Sequence, residues 1–184
     1  MKNLYIIIFL ISHSFVLSQI KVEEANPPVN IPIKLSGNFG ELRSSGFHSG
    51  IDIKTSGKEG VEIKSIDNGY VSRISISLSG FGKAIYITHP NGFTSVYAHL
   101  SKFNDDIEKL IQAFQYQKKS FVINKFFKRD EIIIEKNDII GYSGNTGSSF
   151  GPHLHFEIRK SSKNLPINPL RFGYPIEDTI PPLS

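Results

Sequence analysis

Residues 151–159 read GPHLHFEIR. The run has the composition of a strand, in which side chains alternate faces with period 2. His153 and His155 therefore point the same way, with Leu154 on the opposite side. Two of the chain's six histidines thus share one face of one strand. A His-x-His pair on its own is usually structural or a surface feature, so its meaning depends on which other residues meet it.

Outward from this strand the chain is Gly-punctuated and rich in β-branched and aromatic residues, with fifteen Gly and ten Pro spread widely. These features predict a mainly β fold, an antiparallel sheet with many turns. GIDI and GVEIKSI read as short strands broken by TSGKEG, and GYVSRISISLSG reads as a longer one. KAIYITH and GFTSVYAHL flank Pro90-Asn91-Gly92, a hairpin signal. SFVINKFF and EIIIEKNDIIGYSG also read as strands. Residues 104–117 differ: Asn104 can cap, Asp105 and Asp106 suit a helix N-terminus, and Ile107, Leu110, Ile111 and Phe114 fall at helical spacing. Residues 19–35 are expected to run extended along the surface. The Pro-rich 172–184 is expected to be a tail or linker.

At 184 residues, 39% hydrophobic and 21% charged, the chain suits one globular domain. Lys2, the apolar Leu4–Leu17 and the small-residue site before Gln19 predict a cleaved signal peptide over 1–18, with an uncleaved N-terminal anchor as the alternative, hence export to the periplasm, cell envelope or exterior. The apolar run is shorter than the ~20 residues a spanning helix needs. With no Cys there are no disulfides, no thiolate zinc ligands and no Cys nucleophile. Any metal must be held by His and carboxylates. The net charge of +4 suits an ordinary solvated surface, and no dense Lys/Arg block with interleaved aromatics of the nucleic-acid kind is read.

Four stretches carry His or acid in unusual settings. His89, before the Pro-Asn-Gly turn, reads as a turn or surface residue. His48 and Asp52, flanked by Gly46 and Gly50, can converge on one point at the entry to a strand. With His99 and the 153/155 pair, they supply what a catalytic zinc needs: three N/O ligands, an open position for water, and further groups to move protons. The zincin signature His-Glu-x-x-His is absent.

The set Phe47-His48-x-Gly50-Ile51-Asp52, Tyr97-Ala98-His99-Leu100, and Gly141-x-Ser143-Gly144-x-Thr146-Gly147 leading into Gly151-Pro152-His153-Leu154-His155-Phe156-Glu157 resembles the M23 family, the lysostaphin/LytM-type zinc metalloendopeptidases of bacterial cell walls. The resemblance runs from about Ser36 to Arg171. It implies a compact antiparallel sheet with a groove and one Zn2+ per chain held by His48, Asp52 and His155. His99 and His153 would activate water and stabilise the oxyanion. The implied substrates are peptidoglycan stem peptides and cross-bridges, and Gly141–Gly151 would form one wall of the groove. A helix-containing insertion over about 104–130 departs from the compact pattern; it would pack as an accessory, line the groove or gate it. Two rival readings are a non-catalytic M23-like activator of other wall hydrolases, and a metal- or carbohydrate-binding β-domain.

Overall fold

A computed structural model describes residues 26–44 and 46–177; the expected signal peptide lies outside them. The strands are β1 (Leu35–Gly37), β2 (Leu42–Arg43), β3 (Gly46–Phe47), β4 (Ile51–Lys54), β5 (Glu62–Lys64), β6 (Gly69–Ile76), β7 (Lys83–Thr88), β8 (Phe93–Leu100) and β9 (Lys102–Phe103). The helix α1 (Asp105–Lys118) follows, then β10 (Ile123–Phe126), β11 (Ile133–Ile134), β12 (Ile139–Tyr142), β13 (His153–Lys160) and β14 (Leu165–Ile167). The fold is mainly β, and the strand pairs named here are antiparallel.

The main sheet runs β1-β4-β13-β8-β7-β6-β10, with β11 also on β6 and β14 on β13. A second sheet runs β5-β12-β9, and β2 pairs with β3 as a small ribbon. Alternation gives the main sheet two unlike faces. One face places Ile53, Ile74, Ile85, Ile87, Tyr97, Leu154, Phe156 and Ile158 in a core shared with Ile63, Phe103 and Ile140 of the second sheet and Ile107 and Ile111 of α1. The other face carries a smaller cluster of Ala84, Tyr86, Val96 and Ala98, against which Phe81 packs, and the histidines.

The helix begins where its capping chemistry says it should. Asn104 Oδ1 accepts from the Ile107 N–H at 3.0 Å, and three acids occupy the first turn. The insertion does not line the cleft described below: α1 packs beside β9, and β10 extends the main sheet at the edge remote from β1 and β4.

The lead-in differs from expectation within its described part. Val29 and Ile33 are buried, the Pro28 carbonyl accepts from Lys64 N–H, and Ile33 bridges Ile176. The proline-rich tail likewise starts in the core, with Phe172 edge-on to Phe93 and Tyr174 edge-on to Phe156. Apolar residues spaced between prolines satisfy this packing without any regular period, so the pattern reads as surface chain. Among the described residues no helix is long and apolar enough to cross a membrane.

Candidate metal centre

β4 and β13 are direct neighbours, with His155 opposite Asp52 and His153 opposite Lys54. Gly50, just before β4, sits where a Cβ would lie 2.3 Å from the Phe156 carbonyl oxygen. Only glycine allows this approach, and it brings His48 over the same pair of strands.

His48, Asp52 and His155 are buried, and their ligand atoms all lie within 4.8 Å of one another. His48 Nε2 is 3.0 Å from His155 Nδ1 and 3.1 Å from Asp52 Oδ1, and His155 Nδ1 is 2.9 Å from that oxygen. These separations are slightly shorter than the ~3.4 Å between ligands held at ~2.1 Å around a tetrahedral centre.

The second nitrogen of each ring explains which atoms are free. His48 Nδ1–H donates to the Asn38 carbonyl at 2.8 Å. His155 Nε2–H donates to Glu157 Oε1 at 2.9 Å. Each ring is thereby held in the orientation that turns its other nitrogen toward Asp52 Oδ1, available as a lone pair to a bound cation. Asp52 Oδ2 is occupied by Arg43 Nη2 at 3.0 Å, so one carboxylate oxygen faces the imidazoles. Once the inward-facing nitrogens of His48 and His155 give up the protons they share with Asp52 in the metal-free site, three lone-pair donors converge, a set that fits a divalent cation. The donor set is also of the N/O type that suits zinc.

Two further imidazoles flank this trio. His153 Nε2 lies 3.5 Å from Asp52 Oδ1, while its Nδ1–H donates to the Gly151 carbonyl at 2.8 Å. His99 Nδ1–H donates to the Thr146 carbonyl at 2.8 Å. Its ring centroid is 4.7 Å from that of His153 and 5.8 Å from that of His155.

His99 arrives there through a backbone irregularity. Regular alternation along β8 would place it with Tyr97 on the core face. Instead the β7–β8 register shifts between Lys83 and Ile85, and His99 has φ 60°. This left-handed bulge re-aims the ring onto the histidine face.

Charge is concentrated at this point. Burial opposes ionisation of Asp52, but hydrogen bonds from His153, His155 and His48 outweigh it and hold its carboxyl far below the usual range. Burial also works against the charged forms of His153 and His155; contacts with Asp52, joined by Gly151 for the first and Glu157 for the second, overcome it and raise both. His99 goes the other way: burial, reinforced by its histidine neighbours, pushes it down to about 4.

The five residues sit in a cleft of about 780 Å³ whose walls include Arg43, Phe81 and the segment Ser148–Pro152. The glycine-rich stretch forms that wall only in its second half. Gly147 has φ 75° and packs against Gly80 and Gly82, where a Cβ would meet backbone at 2.3 Å. Ser148 N–H and Thr146 Oγ1 tie the two loops together. These glycines permit backbone contact and so position the Thr146 carbonyl for His99.

His89 differs from expectation. It follows β7 at the turn but is buried, with its ring nitrogens at hydrogen-bond distance from the Asn68 carbonyl and Ser95 Oγ. It borders a separate cleft of about 740 Å³, away from the histidine cluster.

Sequence reasoning missed Arg43 and Glu157. Glu157 carried a signal, since it lies two residues beyond His155 and therefore on the same face. It is fully buried and also bonds Ser49 and Arg159. Arg43 and the carbonyl acceptors carry no spacing signal.

Peptidase family M23 matches residues 46–116 and 110–169 of this chain. The DD-carboxypeptidase/endopeptidase Mpg of Neisseria meningitidis is 29% identical over 129 residues, 70% of this chain and 23% of that protein. The murein hydrolase activator NlpD of Salmonella dublin is 32% identical over 139 residues, 76% of this chain and 29% of that protein. The chain thus spans less than a third of the length of these relatives. The catalytic domain of lysostaphin, the antimicrobial peptidase from Staphylococcus simulans, superposes with a TM-score of 0.57 at 26% identity. That match covers 76% of this chain and 91% of that one. With the sheet, the cleft and the converging donors in agreement, the chain belongs to peptidase family M23.

Proposed function

We propose that the chain is a zinc-dependent endopeptidase that hydrolyses cross-links or stem peptides of bacterial peptidoglycan, working outside the cytoplasm in wall remodelling. The observation that carries this reading is the completeness of the constellation. Three lone-pair donors converge, and two more imidazoles beside them have their outer nitrogens already satisfied. A domain that only held a metal would have no use for His99 and His153.

His48 Nε2, Asp52 Oδ1 and His155 Nδ1 would hold the zinc. When bound it acts as a Lewis acid and lowers the pKa of water from ~15.7 toward ~7. The remaining work falls to the chain's own side chains. His99 is neutral at pH 7, and with Nδ1–H committed to Thr146 its Nε2 carries the lone pair that accepts a proton from the attacking water. His153 is bounded by acceptors at both nitrogens, a setting that favours the doubly protonated ring. It donates to the oxygen of the attacked carbonyl as negative charge develops there. The cleft walls of Ser148–Pro152 and the β2–β3 ribbon would bracket an extended peptide.

The similarity to NlpD supports a second reading, a non-catalytic activator of other wall hydrolases. One experiment separates the two. Purified protein incubated with purified peptidoglycan should release soluble muropeptides, and their masses would name the bond cut. No release by zinc-loaded protein, with release restored only on adding an amidase, would replace the enzyme reading with the activator reading.

A further inference from the structure

The insertion carries chemistry that the cleft does not use. From Lys109 to Arg129 the chain has six cations, Lys109, Lys118, Lys119, Lys125, Lys128 and Arg129, and no acid. The whole chain is only +4, so acids elsewhere conceal this run in the total.

The fold gathers part of it at one tip. Lys118 ends α1 and Lys119 caps it in the left-handed conformation, φ 50°. Gln115 Nε2 donates to the Phe121 carbonyl at 2.6 Å and Ser120 Oγ to the Val122 carbonyl at 2.7 Å, folding the loop against the helix end. Lys118 and Lys125 both set their ammonium groups over the Phe114 ring, at 5.7 and 5.0 Å. Among these cations Tyr116, Phe121 and Val122 remain 81%, 58% and 48% exposed.

We propose that this tip, residues 116–125, is a docking surface for an anionic phospholipid bilayer. The ammonium groups pair with headgroup phosphates while Phe121 and Val122 enter the interface between water and acyl chains, the division of labour of interfacial segments. The composition selects this occupant. Protein interfaces are depleted in Lys, whereas three of the ten residues here are Lys and two more are the exposed Phe121 and Val122 that the lysines flank. A soluble polyanion would satisfy the lysines but leave Phe121 and Val122 in water.

The geometry is compatible with an open cleft. β10 lies four strand spacings from β13 in the main sheet, about 19 Å at ~4.8 Å per spacing, and no residue of 104–130 lines the cleft. The inference does not depend on the catalytic reading. One weak anchor of this kind gives reversible peripheral binding.

The test is vesicle co-sedimentation. The described unit, residues 26–177, contains every contact named above, so Met1–Ser18 is removed from wild type and variants alike to keep its apolar run out of the measurement. Wild type should sediment with vesicles containing phosphatidylglycerol and not with phosphatidylcholine alone, and should dissociate as salt rises. Lys118→Glu with Lys119→Glu, and separately Phe121→Ser with Val122→Ser, should each weaken binding about tenfold or more with unchanged thermal midpoints. Since the chain has no Cys, Ser120→Cys carries an environment-sensitive dye that should shift to the blue on anionic vesicles. Equal sedimentation with both lipids, unaffected variants, or an unshifted dye would each overturn the proposal. Duplex DNA bound as tightly as the vesicles, and indifferent to the Phe121/Val122 change, would reassign the tip as a general polyanion site.

Discussion

Glu157→Gln removes one charge from a site where nothing else can replace it. Glu157 is fully buried. Its Oε1 fixes His155 Nε2–H at 2.9 Å, and its other oxygen receives Arg159. Gln keeps one carbonyl oxygen for His155, but its NH2 then faces a guanidinium, and the remaining bond is neutral rather than charge-assisted. The ring of His155 becomes freer to rotate and its Nδ1 a poorer donor. Loss of such an outer partner typically lowers metal affinity ~10- to 100-fold, about 1.4–2.8 kcal/mol. The fold should suffer less, because Gln preserves the volume and Arg159 can still reach Asn164. Zinc affinity measured by competition with a chromophoric chelator, beside thermal melts of the metal-free protein, separates the two effects. If the Gln variant binds zinc within twofold of wild type and melts at the same temperature, Glu157 does not orient His155 and the account of the donor set is wrong.

His48→Ala or Asp52→Ala should abolish zinc uptake measured by elemental analysis. His99→Ala and His153→Ala should retain zinc and lose ~10²–10⁴-fold in turnover; near wild-type cleavage by either would refute the division of roles. Because Asp52 and Glu157 raise His155 in the metal-free site, a proton must leave that ring before metal enters below its pKa. Zinc affinity should therefore fall about tenfold per pH unit on the acid side of that raised pKa and hold steady above it; titration calorimetry that finds no such fall removes the basis of that expectation. Gly82→Ala would put a methyl 2.3 Å from Thr146 Oγ1 at a φ of +61°. Denaturant unfolding should show about 1–3 kcal/mol of lost stability, and turnover should fall while zinc is kept, since Thr146 holds His99.

The sequence made legible whatever depends on short spacing. The two-residue interval of His153 and His155, the four-residue interval of His48 and Asp52, the Asn104 cap and the Pro-Asn-Gly turn all translate directly into local geometry. What it left unread depends on pairings far apart in the chain. Val29 and Ile33 are core residues because β5 and Ile176 come to meet them. Gly147 is required because Gly80 and Gly82 press against it, sixty-odd residues away in sequence. His99 is the sharpest case. Its strand neighbours predict a core-facing side chain, and only the offset against β7 sends it the other way. Arg43 does its work through one oxygen of Asp52, a contact set by how the β2–β3 ribbon folds over β4.

The bulge at His99 also limits how this chemistry could be transplanted. A designer copying the five side chains onto a regular antiparallel sheet would place Asp52, His153 and His155 correctly, leave out the connection that carries His48, and bury His99 among aliphatic residues. The offset in the ladder, and the left-handed residue that creates it, must travel with the side chains. The portable unit is thus a pair of mismatched strands, β7 and β8, together with the loop that supplies a carbonyl to the displaced ring. Libraries that vary the histidines while idealising the backbone would search a space from which the observed placement of His99 has been removed.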